Sequence, residues 1–239
     1  MVLRSGGGEL TRISGAQLAY ERMKAMIGNG EILPGTRISE AEVSALLGLG
    51  RTPVREALER LHAEGFVIRS ANGRLAVASL SVREAADLFA VRVVLEEMVA
   101  EEATRNATPE SLDGLRKTVT AMELAASAGL GAEVARYGEE FHYRLLEMAG
   151  NAVTKRLLQN LREHIRRYRS VAPKSDIGRC EIAAREHRQI YEAVASRDAE
   201  KAGRLMREHL RNSTVALLQS LKELPGIGEA ESGSQRGEV

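Results

Sequence analysis

The chain has 239 residues, 44% of them hydrophobic and 28% charged, with a formal net charge of +1. That length can bury one or two cores without covalent staples, and the composition excludes a wholly disordered chain. No apolar run approaches the roughly 18 residues a membrane-spanning helix needs, so no membrane partner is expected. Cys180 is the only cysteine, which excludes an intramolecular disulfide and a four-thiolate metal centre and suits a cytoplasmic protein. Arg4 is followed by Ser-Gly-Gly-Gly-Glu where a secretory signal would turn apolar, so export is not expected. Aromatic residues are only 3% and tryptophan is absent, which argues against a binder that stacks single-stranded bases. Residues 1–80 carry 10 Lys and Arg against 8 Asp and Glu, too small an excess to name a nucleic-acid partner by itself.

In chain order, residues 1–14 hold a glycine triplet and no apolar period, and they read as a flexible terminus. A first helix over about 15–29 places Leu18, Met23, Met26 and Ile27 on one face and ends at Gly28-Asn29-Gly30. After the Pro34-Gly35 turn, Arg37-Ile38 has room for only a very short strand. Ser39-Glu40-Ala41-Glu42 predicts a capping box, opening a two-turn helix that Gly48 and Gly50 cut short. Thr52-Pro53 then predicts an N-cap with proline at the first helical position. The helix so begun buries Val54, Ala57, Leu58 and Leu61, and Gly65 suits a left-handed stop. Phe66-Val67-Ile68 and Leu75-Ala76-Val77-Ala78 flank Asn72-Gly73-Arg74, a hairpin signal.

Three helices with a tight turn between the last two, followed by a hairpin, predict a winged helix-turn-helix over 15–79. From Ser81 the pattern is helical, with a second capping box at Ser81 to Glu84 and a Thr108-Pro109 start. Helices are predicted near 82–105, 109–128, 132–149, 152–169, 178–196 and 199–222. Leu88, Val91, Leu95 and Met98, and likewise Leu157, Leu161 and Ile165, are the predicted core stripes of an all-α bundle over 80–224. Residues 225–239 read as a flexible tail. The fold class is therefore mainly α, a winged domain followed by a helical bundle.

Chemistry in the first third centres on the helix start near Pro53. Arg51, Thr52 and Arg55 put two guanidiniums and a hydroxyl where the helix dipole favours phosphate and where an α-helix meets the major groove. Arg74 at the hairpin tip suits the minor groove or the DNA backbone. An ordinary solvated arginine face would look the same in sequence. Farther on, His142, His187 and His209 each fall on a different predicted helix, so spacing alone offers no local chelate, and each taken singly reads as a surface or satisfied core histidine. The run His164, Arg166, Arg167, Tyr168, Arg169 reads mostly as solvated face, with one or two members lining a pocket. His62 reads as solvent-facing, and Cys180 has no reactive context.

The residues Gly35-Thr36-Arg37-Ile38-Ser39-Glu40, Leu46-Leu47-Gly48, Arg51-Thr52-Pro53-Val54-Arg55-Glu56-Ala57-Leu58, Leu61 and Glu64-Gly65 resemble the DNA-binding domain of GntR-family transcription regulators. The resemblance implies that Arg51 and Arg55 read or grip DNA, that Thr52 binds phosphate, and that Asn72, Gly73 and Arg74 form the wing tip. Two departures, Ala41 where many relatives carry arginine and Gly50 where they carry a hydroxyl, remove a phosphate contact each. The stretches from Leu88 to Glu96, from Phe141-His142 to Gly150-Asn151, and from Glu186-His187 to His209-Leu210 resemble the all-helical FCD ligand domain of FadR-type regulators. That resemblance implies a divalent metal, zinc or nickel, on His142, His187 and His209, with an aspartate one turn before the first. Here that position is Gly138, and Glu139 is the substitute on nearly the same face. Arg92 is carried over as a clamp for an anionic effector, against the alternative of a surface cation paired with Glu96 at i,i+4.

The reading that results is a cytoplasmic, homodimeric transcription regulator without enzymatic activity. It takes an inverted-repeat DNA operator and a small carboxylate effector, and acts as a repressor released by that effector. Two rivals come from other classes: a metal-dependent helical enzyme with an accessory winged domain, and a DNA-organising dimer with no pocket chemistry. No Gly-x-Ser-x-Gly or phosphate-loop motif supports the enzyme.

Overall fold

A computed structural model describes residues 13–171, 177–224 and 227. The expected flexible ends, 1–14 and 225–239, lie outside these except at residues 13, 14 and 227. Ser14 is part of the first helix's architecture, capping it by accepting the Gln17 amide at 3.1 Å. The chain divides into two compact units, Met1–Ser79 and Leu80–Val239. No helix of the described residues is long and apolar enough to cross a membrane.

The first unit runs α1 (Gly15–Gly28), β1 (Arg37–Ile38), α2 (Glu40–Leu47), α3 (Arg51–Ala63), β2 (Val67–Arg69) and β3 (Leu75–Val77). The strands form one antiparallel sheet in the order β1-β3-β2, with Arg37 opposite Ala76 and Ile68 opposite Ala76 on the other side. Its core joins Ala19, Met23 and Ile27 of α1 to Val54, Leu58 and Leu61 of α3, to Phe66 just before β2 and to Val77 of β3. Met23, Met26 and Ile27 of α1 lie on the expected inward face, whereas Leu18, expected with them, is exposed.

Two local expectations are corrected. Helix α3 begins at Arg51 with Gly50 as its cap, and Gly50 supplies no side-chain hydrogen bond; Thr52 lies inside the helix and Pro53 at its third position. The shift is tolerated because the first-turn amides have no intrahelical acceptors, so proline's missing N–H costs nothing there either. At α2, Ser39 does accept the Glu42 amide at 3.3 Å, but the Glu42 carboxylate takes the Ser39 hydroxyl at 2.7 Å, so the capping box is only half formed.

At the tip of the β2–β3 hairpin, Ser70 N–H donates to the Arg74 carbonyl at 2.9 Å and Gly73 N–H to Ser70 at 2.8 Å, leaving Ala71-Asn72-Gly73 as the bend. Gly73 has φ +78°, which is why a glycine stands there. Gly48, at φ +67°, ends α2 in the same way and lets the chain turn into α3 within three residues.

The second unit contains α4 (Val82–Asn106), α5 (Pro109–Ser127), α6 (Gly131–Ala149), α7 (Ala152–Val171), α8 (Ile177–Ala195) and α9 (Ala199–Lys222). These bounds match the periodic reading within about two residues, the usual uncertainty of helix ends. Thr108 caps α5 in a reciprocal box with Ser111, and Pro109 is at the first position. Helix α4 touches α6, α7, α8 and α9 and is the axis of the bundle.

Its predicted core stripe is corrected in part: Leu88 and Leu95 pack against buried clusters, but the other two residues do not. Val91 is 54% and Met98 36% exposed, while the face that points inward carries Phe89, Arg92, Glu96, Val99, Ala100 and Ala103. The inward face is partly charged, so a search for apolar period alone selects its neighbour. Leu157 of α7 is also exposed, whereas Ile165 is buried.

A buried-edge network ties α1 to α3. Tyr20 and Lys24 donate to Glu64 at 2.7 and 2.9 Å, Arg60 donates to it at 3.3 Å, and the Arg60 guanidinium stacks 3.6 Å from the Tyr20 ring centroid. Partial burial pushes the Glu64 carboxyl up, but the Lys24 and Tyr20 donors outweigh it and hold the group below its ordinary value of 4.5. A lowered carboxylate pKa contributes stability above the unfolded value and loses it as pH falls. The difference in urea midpoint between wild type and Glu64→Gln is therefore expected to be largest near neutrality and to shrink progressively below about pH 4.5.

Candidate functional site: a buried histidine triangle beneath an arginine-lined cavity

His142 of α6, His187 of α8 and His209 of α9 converge inside the second unit. All three are buried, and their ring centroids stand 5.3, 5.4 and 4.3 Å apart. One ligand nitrogen from each lies within 4.8 Å of the others, and among the described residues this is the group of histidine, cysteine or acidic side chains with that geometry.

Two of the rings are held by hydrogen bonds through Nδ1, and the third has Nδ1 against a carboxylate. His187 donates to the Ala183 carbonyl at 2.7 Å, one turn earlier on α8, and His209 to the Glu186 carboxylate at 2.7 Å. His142 is paired at Nδ1 with the carboxylate of Glu96 on α4. A carbonyl and an ionised carboxylate only accept, so Nδ1 carries the proton in each ring and the lone pair is left on Nε2. Nε2 of His187 is buried with no hydrogen-bond partner.

Electrostatics keep the rings uncharged. Burial draws His142 and His187 down to about 3 and His209 to about 4, so all three are neutral near pH 7. Burial raises Glu186, but His209 and Asn212 donate to it, the latter at 2.8 Å, and the balance leaves it at about 2. Burial likewise raises Glu96, and Arg92, His142 and Arg162 reverse this, holding it well below the usual carboxylate range. Three neutral imidazoles, each backed by an acceptor, are a donor set suited to a borderline divalent ion such as zinc or nickel.

Above His142 lies a cavity of about 400 Å³ lined in part by Arg92, Arg136, Arg162, Arg166 and Arg169. Arg92 is buried and donates through Nε to Glu96 at 2.8 Å, while its Nη1 has no hydrogen-bond partner. The i,i+4 pair of Arg92 with Glu96 exists, but it is an interior pair and not a surface one. Arg162 stands 3.7 Å from the same Glu96.

Glu139 is outside the triangle. Its side chain is 60% exposed, and its nearest charged partner is Arg169 at 3.8 Å. Gly138 is the position that faces the rings: a Cβ built there would stand 3.7 Å from Nε2 of His187, in open contact distance. The run from His164 to Arg169 is not mainly solvated, since Arg167 and Tyr168 are buried and Arg166 and Arg169 line the cavity.

In the first unit, Arg51, Thr52, Arg55, Asn72, Gly73 and Arg74 are all exposed. Arg51 and Thr52 stand in the first turn of α3. Arg55 donates through Nε and Nη2 to Glu40 of α2 at 3.0 and 3.3 Å. Asn72 is engaged within the turn, accepting the Ser70 hydroxyl at 2.6 Å and the Arg74 amide at 3.3 Å. Arg74 leaves the hairpin tip toward solvent.

The FCD domain family matches residues 87–212, more than half of the chain, and the gntR family of bacterial regulatory proteins matches residues 16–77. The chain belongs to the GntR family and carries an FCD domain. This GntR regulator is 29% identical to the HTH-type transcriptional regulator YdhC of Bacillus subtilis over 85% of its own length and 91% of the relative's. It is 28% identical to the Nta operon transcriptional regulator of Aminobacter aminovorans, covering 79% of this chain and 88% of that one. It is likewise 28% identical to the repressor NanR of Cronobacter sakazakii, covering 90% and 89%. The fold matches Escherichia coli McbR/YncC with a TM-score of 0.71 at 19% identity, covering 87% of this chain and 99% of that one. It is thus a DNA-binding transcription regulator and not an enzyme, as its relatives are.

Sequence reasoning missed the acceptors Glu96 and Glu186 and the arginines Arg136 and Arg162. One signal was available: Arg162, Arg166 and Arg169 recur at helical spacing and mark one flank of α7 as cationic. Glu96 and Glu186 gave none, because each meets its histidine across two helices. If the triangle takes a metal, zinc at about 100 times its Kd raises wild-type stability by roughly 2.7 kcal/mol, read as a higher thermal midpoint. His187→Ala is expected to show no such zinc-dependent rise.

Proposed function

We propose that this regulator is a homodimeric repressor whose hold on an inverted-repeat operator is released by a small carboxylate bound at the metal-containing pocket of its FCD domain. The observation that carries the reading is the cluster of three buried imidazoles, one of which, His142, lines a cavity together with an unpartnered Arg92 Nη1 and further arginines. His142, His187 and His209 hold the divalent ion, zinc or nickel, and the ion supplies a Lewis-acidic contact for a carboxylate or hydroxyl oxygen. Arg92 receives the anion, and the remaining arginines raise its local concentration. Hydroxy acids and sugar acids carry the groups such a site recognises.

Residues 15–79 act as the DNA-binding domain and 80–224 as the effector-binding and dimerisation domain, in a cytoplasmic protein. Arg51 and Arg55 address the major groove from the first turns of α3, Thr52 takes a phosphate, and Asn72, Gly73 and Arg74 form the wing tip. Glu40 holds the Arg55 fork in the free protein and must share or yield it when DNA arrives. Exposed Val91, Val94 and Met98 along α4 support a second copy as the partner of that face. Release follows from linkage: an effector that prefers the state with lower DNA affinity weakens DNA binding by that preference.

The decisive experiment titrates operator DNA with zinc-loaded protein while a panel of small carboxylates is added. Loss of operator affinity with at least one of them supports the reading; tighter DNA binding with the effective compound would overturn the assignment as a repressor released by its effector. Arg55→Ala is expected to lower specific DNA affinity by about 1–3 kcal/mol, roughly tenfold or more, with dimerisation and helix content unchanged. Gel shift and sedimentation on the same samples check this.

A further inference from the structure

We infer that Gly138 makes the histidine triangle a site completed by its ligand: His142, His187 and His209 hold a divalent metal, and the carboxylate of the bound small molecule occupies the space a side chain at 138 would fill. Metal and carboxylate then bind cooperatively, and neither is held tightly alone. This rests on the reading of the pocket under Proposed function and adds to it how the two ligands depend on each other.

Four observations converge on it. Among the described residues the cluster contains three imidazoles and no carboxylate. Gly138 lies one helical turn before His142 on α6, and the direction of its missing Cβ leads to Nε2 of His187 at 3.7 Å and Cε1 at 3.8 Å, with nothing nearer. Nε2 of His187 is buried and unpartnered. His142 lines the cavity into which Arg92 brings a buried Nη1 with no acceptor.

The lone pair on Nε2 of His187 calls for a cation, and a cation there together with the Arg92 Nη1 donor calls for an acceptor that no free carboxylate of the described residues supplies. Glu96 and Glu186 do not compete for the place, because each is already committed to the Nδ1 side of a ring and to further donors. Glu139 points to Arg169 instead. Tetrahedral zinc with three protein nitrogens keeps one exchangeable position, and an anion there is favoured both by the ion and by Arg92. Linkage then requires that metal and carboxylate raise each other's affinity by the same factor. A regulator built this way responds to the two together and not to either one separately.

The test uses the full-length protein, with free zinc set by a nitrilotriacetate buffer and acetate as the smallest carboxylate. Zinc affinity of the wild type is expected to rise with saturating acetate by a factor on the order of 5 to 150, and acetate affinity to rise by the same factor with zinc. Gly138→Asp supplies a carboxylate from the protein. It should bind zinc about tenfold or more tightly than wild type without acetate and lose most of the coupling. Gly138→Ala adds a Cβ without a donor atom and should keep it, and metal-free thermal midpoints of both variants confirm that each folds.

Unchanged zinc affinity with acetate in the wild type, or a Gly138→Asp variant that gains nothing, overturns the inference, while zinc binding itself leaves the metal pocket under Proposed function standing. No zinc binding with or without acetate overturns both.

Discussion

Everything in the helical unit that bears on the candidate site depends on keeping three imidazoles uncharged in the same dry interior. Charged, they would repel one another across the 4.3 to 5.4 Å between ring centroids and would each carry an unpaid desolvation cost. Neutral, each has one donor and one acceptor nitrogen, and the bundle provides a fixed acceptor for the donor. The remaining nitrogens turn toward a common point. Helix packing alone would bring the rings close, but Glu96, Glu186 and the Ala183 carbonyl decide which nitrogen faces inward.

The same acceptors organise the charge around the pocket. Glu96 is shared by His142, Arg92 and Arg162, so the ring, the buried Arg92 and a second wall arginine are oriented by one buried carboxylate on α4. Because it is buried, losing any one partner leaves charge without compensation, which makes the group a unit and not a set of separable contacts. Arg92 spends one side of its guanidinium on Glu96 and keeps the other for the cavity. That division explains how an arginine can be both structural and free to meet an anion.

In the DNA-binding half the demands are different, since an exposed helix start needs reach and not burial. Val54, Leu58 and Leu61 lock α3 against α1, and Glu64 gathers Tyr20, Lys24 and Arg60 at its far end. With the far end fixed, the first turn projects Arg51, Thr52 and Arg55 into solvent. The αL glycines at 48 and 73 shape the two turns on either side of this helix, where any side chain would strain the backbone.

What the sequence alone determined is what local physics dictates: nine helices among the described residues, a short hairpin, the glycine turns, and the outward arginines of α3. Apolar period and caps act over a few residues, so they can be read without knowing the partner. It also supplied the three histidines as candidates through their motif context, but not their meeting. Their convergence, the choice of Nε2, the acceptors Glu96 and Glu186, and the orientation of the space at Gly138 came only from the tertiary structure. The inward face of α4 was misread for the same reason. A helix that buries Arg92 and Glu96 offsets their desolvation with partners from α6 and α7, and no pattern along one helix records what another helix will bring to it.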